Sequence, residues 1–386
     1  MTKPAPHWLP ERHLGVAATL SHADELIGQV SDLLFTYQTQ PHGVFGLREV
    51  RAGSFSRTVV ESVAPIPRKV PLLVADALVA LRAALEHALF AEVEFLDGAP
   101  LDEKAAKCVE MPASITYEKF EQWKKKNLRD RPPSLREGSE LVRRIDQLQP
   151  FHRLRNPQLH PLARLALHTN HAKHRTPALT AVRLIAMYQD DQMPRSVHDL
   201  PMRPEEPLRV GDVIAQTPIG TTIDVTLFPT IGINRPGTDR WPVLIQELDE
   251  ISNWVRTQAV PRLLTGTEPP EPALPTLPTR YEIAVGQQDE RHAISMGSTT
   301  SAAERHKQRL TAATARIGMA ELIGQTDGAP SEQQITAWLA QLTDEQVLER
   351  QSKLKATYTY DPDILLNNIE VLELLRGEAQ EFERDV

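Results

Sequence analysis

The segment from Leu72 to about Phe95 constrains the fold more than any other part of the chain. It is rich in alanine, and its leucines recur at helical spacing, at Leu78, Leu81, Leu85 and Leu89. Positions three or four residues apart lie on one face of an α-helix, so the pattern predicts a long amphipathic helix with one buried stripe. We expect this helix to belong to a helical core.

The length of 386 residues favours two or more domains, because a single hydrophobic core rarely grows this large. Closely spaced prolines between Thr265 and Glu282 predict an extended linker. We therefore expect a helical core with a β region over 1–264, a proline-rich linker over 265–282, and a mainly helical C-terminal extension over 283–386.

Other patterns predict the surrounding elements. Ser21 and Asp24 have capping-box spacing, which predicts a first helix running to about Tyr37, and Ser134 with Glu137 predicts another that stops near Pro150. Strands are predicted over 44–50, 56–63, 181–188, 210–216 and 222–233. Further helices are predicted over 117–126, 160–174, 241–264, 301–323, 331–342, 343–355 and 362–382. The expected fold class is α+β, with a small antiparallel β region.

Composition narrows the class of protein. No apolar run approaches the ~20 residues of a membrane helix, and the N-terminus lacks the apolar stretch of a signal peptide. The one cysteine, Cys108, has no partner for an internal disulfide and is interpreted as a buried apolar side chain. These features predict a soluble, cytoplasmic protein that makes no membrane contact.

Positive charge is concentrated in the middle of the chain. Between Lys119 and Arg175 there are fourteen Lys or Arg and five Asp or Glu, a balance of +9 in a chain whose net charge is −8. On a helix over 160–174, the basic positions fall within about 80° of one another, and they are His160, Arg164, His168, His171 and Arg175. Such a face can neutralise phosphates or can simply be solvated. The run WKKKNLRDR from Trp123 has the same two interpretations.

Two residues of the long helix could carry chemistry. Arg82 and His87 have R-x4-H spacing, and an arginine can hold a phosphate while a histidine moves a proton. Together they supply the minimum for metal-independent RNA cleavage. Five residues of helix separate them by about 7.5 Å and roughly 140°, so a joint site requires a composite or dimeric arrangement. The competing interpretation pairs Arg82 with Glu86 and places His87 in the core.

A second segment, ARLALHTNHAKHR, ends in polar and basic residues that could bind an anion. The candidates for phosphate or RNA binding are Arg164, His168, Asn170, His171, Lys173, His174 and Arg175. The same cations could equally cap the carbonyl end of their helix without any ligand. No HExxH, P-loop, Gly-x-Ser-x-Gly or dinucleotide-binding glycine pattern is present, so we expect neither a metal site nor a cofactor.

The order of these blocks resembles an uncharacterised bacterial family. The matching blocks in this chain are DALVALRAALEHAL, RIDQLQPF and LHTNHAKHR, and the likeness covers about Leu14 to Leu264. The R-x4-H block is in turn similar to the R-x4–6-H signature of the HEPN superfamily, which includes metal-independent RNases of toxin and phage-defence systems. Ala83 departs from that pattern, because a polar residue often follows the arginine there.

The HEPN resemblance implies a homodimeric RNA-binding protein or ribonuclease with Arg82 and His87 as its catalytic residues. The residues alone leave a second hypothesis open. In that hypothesis the protein is a noncatalytic interaction or regulatory protein whose C-terminal helices bind a protein partner.

Overall fold

The computed structural model describes residues 8–189, 203–221, 225–266, 274–275, 294, 297–298, 300–355 and 360–382. It has the α+β fold expected from the sequence, and its described residues form two compact units that divide between residues 303 and 304. Most of the predicted linker over 265–282 lies outside the described residues. Among the helices described, none is long and apolar enough to cross a membrane.

The first unit is built around two long antiparallel helices. They are α1 (Leu14–Gln38) and α2 (Lys69–Asp97), and α2 also contacts the helices α6, α7 and α8. The other α-helices among the described residues of this unit are α3 (Glu103–Ala106), α4 (Tyr117–Lys125), α5 (Glu140–Gln147), α6 (Pro161–His174), α7 (Leu244–Trp254) and α8 (Val260–Thr265). A π-helical turn, Val255–Ala259, joins α7 to α8.

Small side chains explain how closely α1 and α2 pack. The buried face of α2 alternates leucines with alanines at helical spacing, and the alanines are Ala77, Ala80, Ala84 and Ala88. Alanine gives little bulk at a helix contact, so the neighbouring backbone can approach and the leucines fill the space on either side. The long helix predicted from the leucine stripe is therefore confirmed, with its ends extended by a few residues.

Over the described residues of this unit, five strands form two small antiparallel sheets. The strands are β1 (Phe45–Ala52), β2 (Phe55–Val63), β3 (Thr180–Gln189), β4 (Val213–Pro218) and β5 (Val225–Ile233). One sheet has the order β1-β2-β4 and the other pairs β3 with β5. Gly53 has a φ of 65° in the β1–β2 hairpin turn, a conformation that glycine adopts without a steric penalty.

Two predicted helix starts are wrong, one because the capping pattern lies inside a longer helix and the other because it lies before the helix begins. Ser21 and Asp24 lie buried inside α1, which begins seven residues earlier, and α5 begins after Ser139 rather than at Ser134. The side chain of Ser139 accepts the N–H of Val142 and caps that helix. A capping-box pattern can occur by chance within a helix, where packing of the apolar face decides how far the helix extends.

In the second unit the described residues form four helices, of which the first begins two residues before the division: α9 (Ala302–Gly324), α10 (Glu332–Gln341), α11 (Asp344–Lys353) and α12 (Pro362–Glu381). Its own core includes Ile323, Ile335, Trp338, Val347 and Leu375. The helical pattern predicted for this part of the chain is confirmed.

A buried ion pair ties α1 to the π-helical turn. Arg256 donates to the carboxylate of Asp24, and both side chains are almost completely buried. The same guanidinium also donates to Ser252 Oγ at 3.3 Å and to the carbonyl oxygen of Pro275 at 2.7 Å. A buried charge is tolerated when an opposite charge and hydrogen bonds compensate it, so this pair depends on both of its members.

We expect Asp24→Asn to lower the free energy of unfolding by about 3 kcal/mol, because it leaves the Arg256 charge buried without a counter-ion. Urea denaturation followed by circular dichroism measures the change. Glu25→Gln removes an exposed carboxylate at the next position of the same helix and should change stability by less than about 0.5 kcal/mol. Equal effects of the two substitutions would contradict a stabilising role for the pair.

Candidate functional site

Arg82 is bound to the protein's own backbone. Its Nη2 lies 2.7 Å from Glu86 Oε1 and also donates to the carbonyl oxygen of Met111. Glu86 Oε2 in turn accepts the N–H of Met111 at 2.9 Å. Arg82 and Glu86 therefore form hydrogen bonds with both the carbonyl oxygen and the N–H of Met111. The Arg82–Glu86 pair of the competing interpretation is present.

Gln149 extends this grip to the following residues. Its side chain accepts the N–H of Ser114 at 2.9 Å and donates to the carbonyl oxygen of Pro112 at 3.1 Å. Gln149 is fully buried, so these bonds replace the water that the backbone would otherwise need. We refer to Arg82, Glu86 and Gln149, with the backbone of residues 111–114, as the Met111 clamp.

Burial changes the pKa of the carboxyl group in the Met111 clamp. It raises the pKa of the Glu86 carboxyl, against the charge of Arg82 and the hydrogen bond from Met111, which both lower it. The clamp takes its side chains from two of the blocks named in the sequence, DALVALRAALEHAL and RIDQLQPF, and they fix an irregular segment. Its geometry accounts for these blocks structurally.

His87 lies on a different side of α2. It is exposed, and its Nδ1 is 3.2 Å from Thr19 Oγ1 of α1. The interpretation that placed His87 in the core is therefore wrong. Within one chain the Arg82 guanidinium points to the Met111 clamp while His87 lies against α1, so the fold does not bring the two predicted catalytic side chains together.

The side of α2 that carries His87 is open to solvent. The exposed or partly exposed residues at helical spacing along this side are Leu72, Asp76, Val79, Ala83, His87 and Phe90. Leu72 is 51% exposed although it is apolar. We name this set the open face of α2. The small side chain of Ala83 at its centre allows the close approach of another helix.

Arg164 and His168 correct the prediction of one solvated basic face on α6. Both are buried, with Arg164 Nη1 at 2.6 Å from Glu247 Oε2 and His168 Nε2 at 3.4 Å from Glu247 Oε1. Arg164 also lies 2.8 Å from Glu250. Because α7 carries Glu247 and packs against α6, this part of the basic stripe faces the protein interior rather than a ligand.

Glu247 is the centre of a buried charge cluster. Arg235 binds it with two hydrogen bonds, of 3.0 Å and 2.7 Å, in addition to the contacts from Arg164 and His168. Burial alone would raise the pKa of Glu247, but the hydrogen bonds from His168 and Arg235 and the charge of Arg164 outweigh it and lower the pKa to about 2. No local motif in the sequence marks Glu247 or Arg235.

A second buried carboxylate, Glu92, is neutralised in a similar way. Its Oε1 is 2.7 Å from both Arg12 Nη2 and His13 Nε2, and Arg144 lies 3.8 Å from its other oxygen. Burial raises the pKa of Glu92, but the hydrogen bonds from His13 and Arg12 lower it below its usual range. These residues also escaped sequence reasoning, since they are about eighty positions apart.

The remaining predicted residues of α6 are accessible. Asn170, Lys173, His174 and Arg175 are exposed at the C-terminal end of the helix. His171 is half-buried, and its Nδ1 donates to the carbonyl oxygen of Thr176 at 3.2 Å. Of the seven residues predicted to bind phosphate, the structure places these five at one helix end and the other two in the Glu247 cluster.

Beyond α6, most of the basic segment is also exposed. Nine of its fourteen cations are exposed and have no carboxylate partner among the described residues, and they are Lys119, Lys125, Lys126, Arg129, Arg136, Arg153, Arg155, Lys173 and Arg175. We refer to them as the free cations. In the described part of the chain, no three His, Cys, Asp or Glu side chains converge as a metal site.

His160 has a structural role at the start of α6. Its Nδ1 accepts the N–H of Leu162 at 3.2 Å, which caps the helix, and its ring packs edge-on against Trp254 at 5.1 Å. Burial and the nearby charges of Arg153 and Arg164 lower the pKa of His160 to about 4. A protonated Nδ1 could not accept the capping hydrogen bond, so the folded state holds this imidazole neutral.

This cap predicts a pH dependence of stability. The unfolded chain takes up a proton at His160 near pH 6.5 and the folded chain only near pH 4, so stability falls as the pH drops through that window. We expect a contribution of about 2–3 kcal/mol to be lost between pH 7 and pH 4.5. His160→Asn keeps a capping acceptor without the titration and should lose correspondingly less, as measured by urea denaturation at both pH values. Parallel losses in the two proteins would contradict this role.

Comparisons with protein-family models, curated proteins and solved structures give no match for this chain. The HEPN resemblance suggested by R-x4-H thus has no support from a relative. The structure contains three separate features: the open face of α2 with His87, the free cations of residues 119–175, and a separate helical unit at the C-terminus.

Proposed function

We propose that this is a HEPN-like RNA-binding protein, and that it becomes a metal-independent ribonuclease only as a homodimer. The observation that carries the proposal is the set of nine free cations. A concentration of exposed, unpaired cations attracts a polyanion, because binding releases the counter-ions that surround its phosphates. The proposal keeps the cytoplasmic location and the defence or toxin context expected from the sequence.

Internal ion pairs do not cancel this charge. Of the five acidic residues in the segment, four already have cationic partners: Glu121 and Glu137 with Lys124, Glu140 with Arg143, and Asp146 with His152. Most carboxylates of the segment are therefore already in ion pairs, while the free cations have no carboxylate partner among the described residues. A solvated face usually mixes charges of both signs, whereas this segment leaves an excess of one sign.

The free cations form groups that a single strand could follow. Lys125, Lys126 and Arg129 lie at the end of α4, and Arg153 and Arg155 lie in the loop before α6. The start of α4 touches that loop, since the rings of Tyr117 and Phe151 are 5.7 Å apart. The fourteen residues of α6 then span about 21 Å to the next group, a length suited to a few nucleotides.

That next group contains Lys173 and Arg175, with Asn170 and His174 beside them. Lysine and arginine neutralise phosphates, and the amide of Asn170 can donate hydrogen bonds to phosphate or base oxygens. The five accessible residues predicted from the α6 motif, with His171 as the fifth, therefore stay within the proposed binding surface.

Cleavage requires a second copy in this proposal. The guanidinium of Arg82 binds Glu86 and Met111, so His87 has no catalytic partner at Arg82 within one chain. If the open faces of two copies pack together, two His87 side chains approach each other, and one can act as general base and the other as general acid. Arg82 would then contribute by fixing the clamp beside the site.

The second candidate is a noncatalytic protein that binds a protein partner through its C-terminal helices. A specific observation favours it: helix α12 exposes large aliphatic residues, and Leu366 and Leu374 are 59% and 69% exposed. Exposed apolar residues grouped on one helix are typical of an interaction surface. RNA binding and this second interaction use different parts of the chain.

The first prediction concerns RNA binding. We expect Lys125→Ala, Lys126→Ala and Arg129→Ala together to weaken binding of single-stranded RNA and to reduce the slope of log K against log salt concentration by about 2 in magnitude. Fluorescence anisotropy over a salt series measures both quantities. The matched control, Arg51→Ala, Arg68→Ala and Lys69→Ala, removes three exposed cations outside the segment and should leave the slope unchanged. Equal slopes in all three proteins would refute the binding surface.

The second prediction concerns cleavage. In EDTA, wild-type protein should cleave RNA and His87→Ala should reduce the rate by about 10² or more, the usual contribution of a general acid or base. His22→Ala removes an exposed histidine of α1 and serves as the control. Ala83→Glu should abolish both the dimer in sedimentation and the cleavage, because it places a bulky charge on the open face. Cleavage that survives His87→Ala would refute the assignment.

A further inference from the structure

Helix α12 presents an apolar face to solvent although its opposite face is packed. Leu365 and Ile369 are 47% and 45% exposed, and with Leu366 and Leu374 they lie on one half of the helix circumference at 100° per residue. The exposed Tyr360 precedes the helix. Four large aliphatic side chains on one exposed half are unusual for a helix that has no partner there.

The inner face of α12 is fixed, so the helix cannot rotate to bury these residues. Leu375 and Ala379 lie in the core of the unit. Arg350 of α11 binds Glu378 with two hydrogen bonds, of 2.9 Å and 2.7 Å, and Asn368 donates to the carbonyl oxygen of Lys355 at 2.8 Å. These contacts orient the helix, and the exposed aliphatic residues follow from that orientation.

Charge identifies the kind of partner. Asp363, Glu370 and Glu373 are exposed on the same half of the helix, and none of them has an ion pair among the described residues. Arg376, the nearest cation in sequence to Glu370 and Glu373, donates to the backbone carbonyl of Asp327. The exposed half of α12 therefore combines large aliphatic side chains with unneutralised carboxylates that lie among them.

The geometry points to a docking site for a basic amphipathic helix of another protein on this face of α12. Such a helix would place leucine-type residues, spaced by three or four, against Leu365, Leu366 and Ile369, and its lysines or arginines beside Glu370 and Glu373. This inference rests on the second candidate function and specifies the partner that it would take.

A second copy of the chain fits this face poorly. Two copies packed through α12 would place the same three carboxylates of each chain next to one another, and like charges at an interface are unfavourable. A basic helix instead pairs each carboxylate with an opposite charge while covering the same aliphatic residues. Charge complementarity therefore selects the occupant.

A synthetic peptide tests the site directly. The probe is a fluorescein-labelled fifteen-residue helix made only of leucine and lysine in amphipathic order, titrated with the full-length protein and followed by anisotropy. We expect Glu370→Lys with Glu373→Lys to weaken binding about tenfold, since two reversed charges at an interface amount to about 1.4 kcal/mol. Leu366→Ser with Ile369→Ser should weaken it at least as much.

Matched controls separate this face from general attraction to an acidic unit. Glu321→Lys with Glu332→Lys makes the same charge change on α9 and α10, and Leu322→Ser removes an exposed leucine of α9. Both controls should bind the peptide within twofold of wild type. A peptide of leucine and glutamate in the same order should not bind. The charge variants sit on exposed positions, and circular dichroism confirms that each variant remains folded.

Failure of the wild-type protein to bind the peptide would overturn the inference, and so would either of two further outcomes. One is an equal loss of peptide binding in the α12 charge variant and in its control. The other is a wild-type dimer in sedimentation velocity that Leu366→Ser with Ile369→Ser dissociates, because a second copy would then occupy the face. RNA binding is measured on the same variants, so a failure of peptide binding with intact RNA binding counts against this site and not against the basic surface.

Discussion

The close packing of α1 against α2 is the contact on which the first unit depends. Alanines at four successive helical positions of α2 allow the approach, and α6, α7 and α8 pack around the same helix. The positions of Arg82, His87 and the α6 residues all follow from this arrangement, because each lies on α2 or on a helix that touches it. Burial of the leucine stripe supplies the free energy that holds these helices in register.

Buried carboxylates neutralise some of the arginines of the chain in ion pairs. Asp24, Glu92 and Glu247 are each neutralised by an arginine that lies at least eighty positions away in the sequence. Each cluster stabilises the contact between two elements, since removal of either partner would leave a charge in a low-dielectric interior. A part of the remaining positive charge is exposed between residues 119 and 175 as the free cations, and that part, rather than the net charge of −8, is relevant to a polyanion.

Periodicity alone predicted much of the fold. The α2 helix, the β1–β2 hairpin and the C-terminal helices all appear near their expected positions, because hydrophobic spacing and turn residues act locally. The expected start of α1 at Ser21 failed for a nonlocal reason: the apolar face continues towards Leu14 and packs on α2. Similarly, Arg82 proved to hold the Met111 backbone, a role that depends on a segment about thirty positions further along the chain.

The α6 segment shows that a local sequence pattern can predict a helix but not which of its side chains are buried. Its amino-acid pattern was enough to establish a helix from Pro161 to His174 with basic residues along one side, because helical geometry follows from spacing along the chain. Which of those residues reach solvent depends on the packing of α7, because Glu247 of α7 binds Arg164 and His168 and both are buried there. Glu247 is 83 positions beyond Arg164 in the sequence, so no local pattern indicates this contact. Helix formation is a property of neighbours in sequence, whereas burial and pairing of charge are properties of neighbours in space.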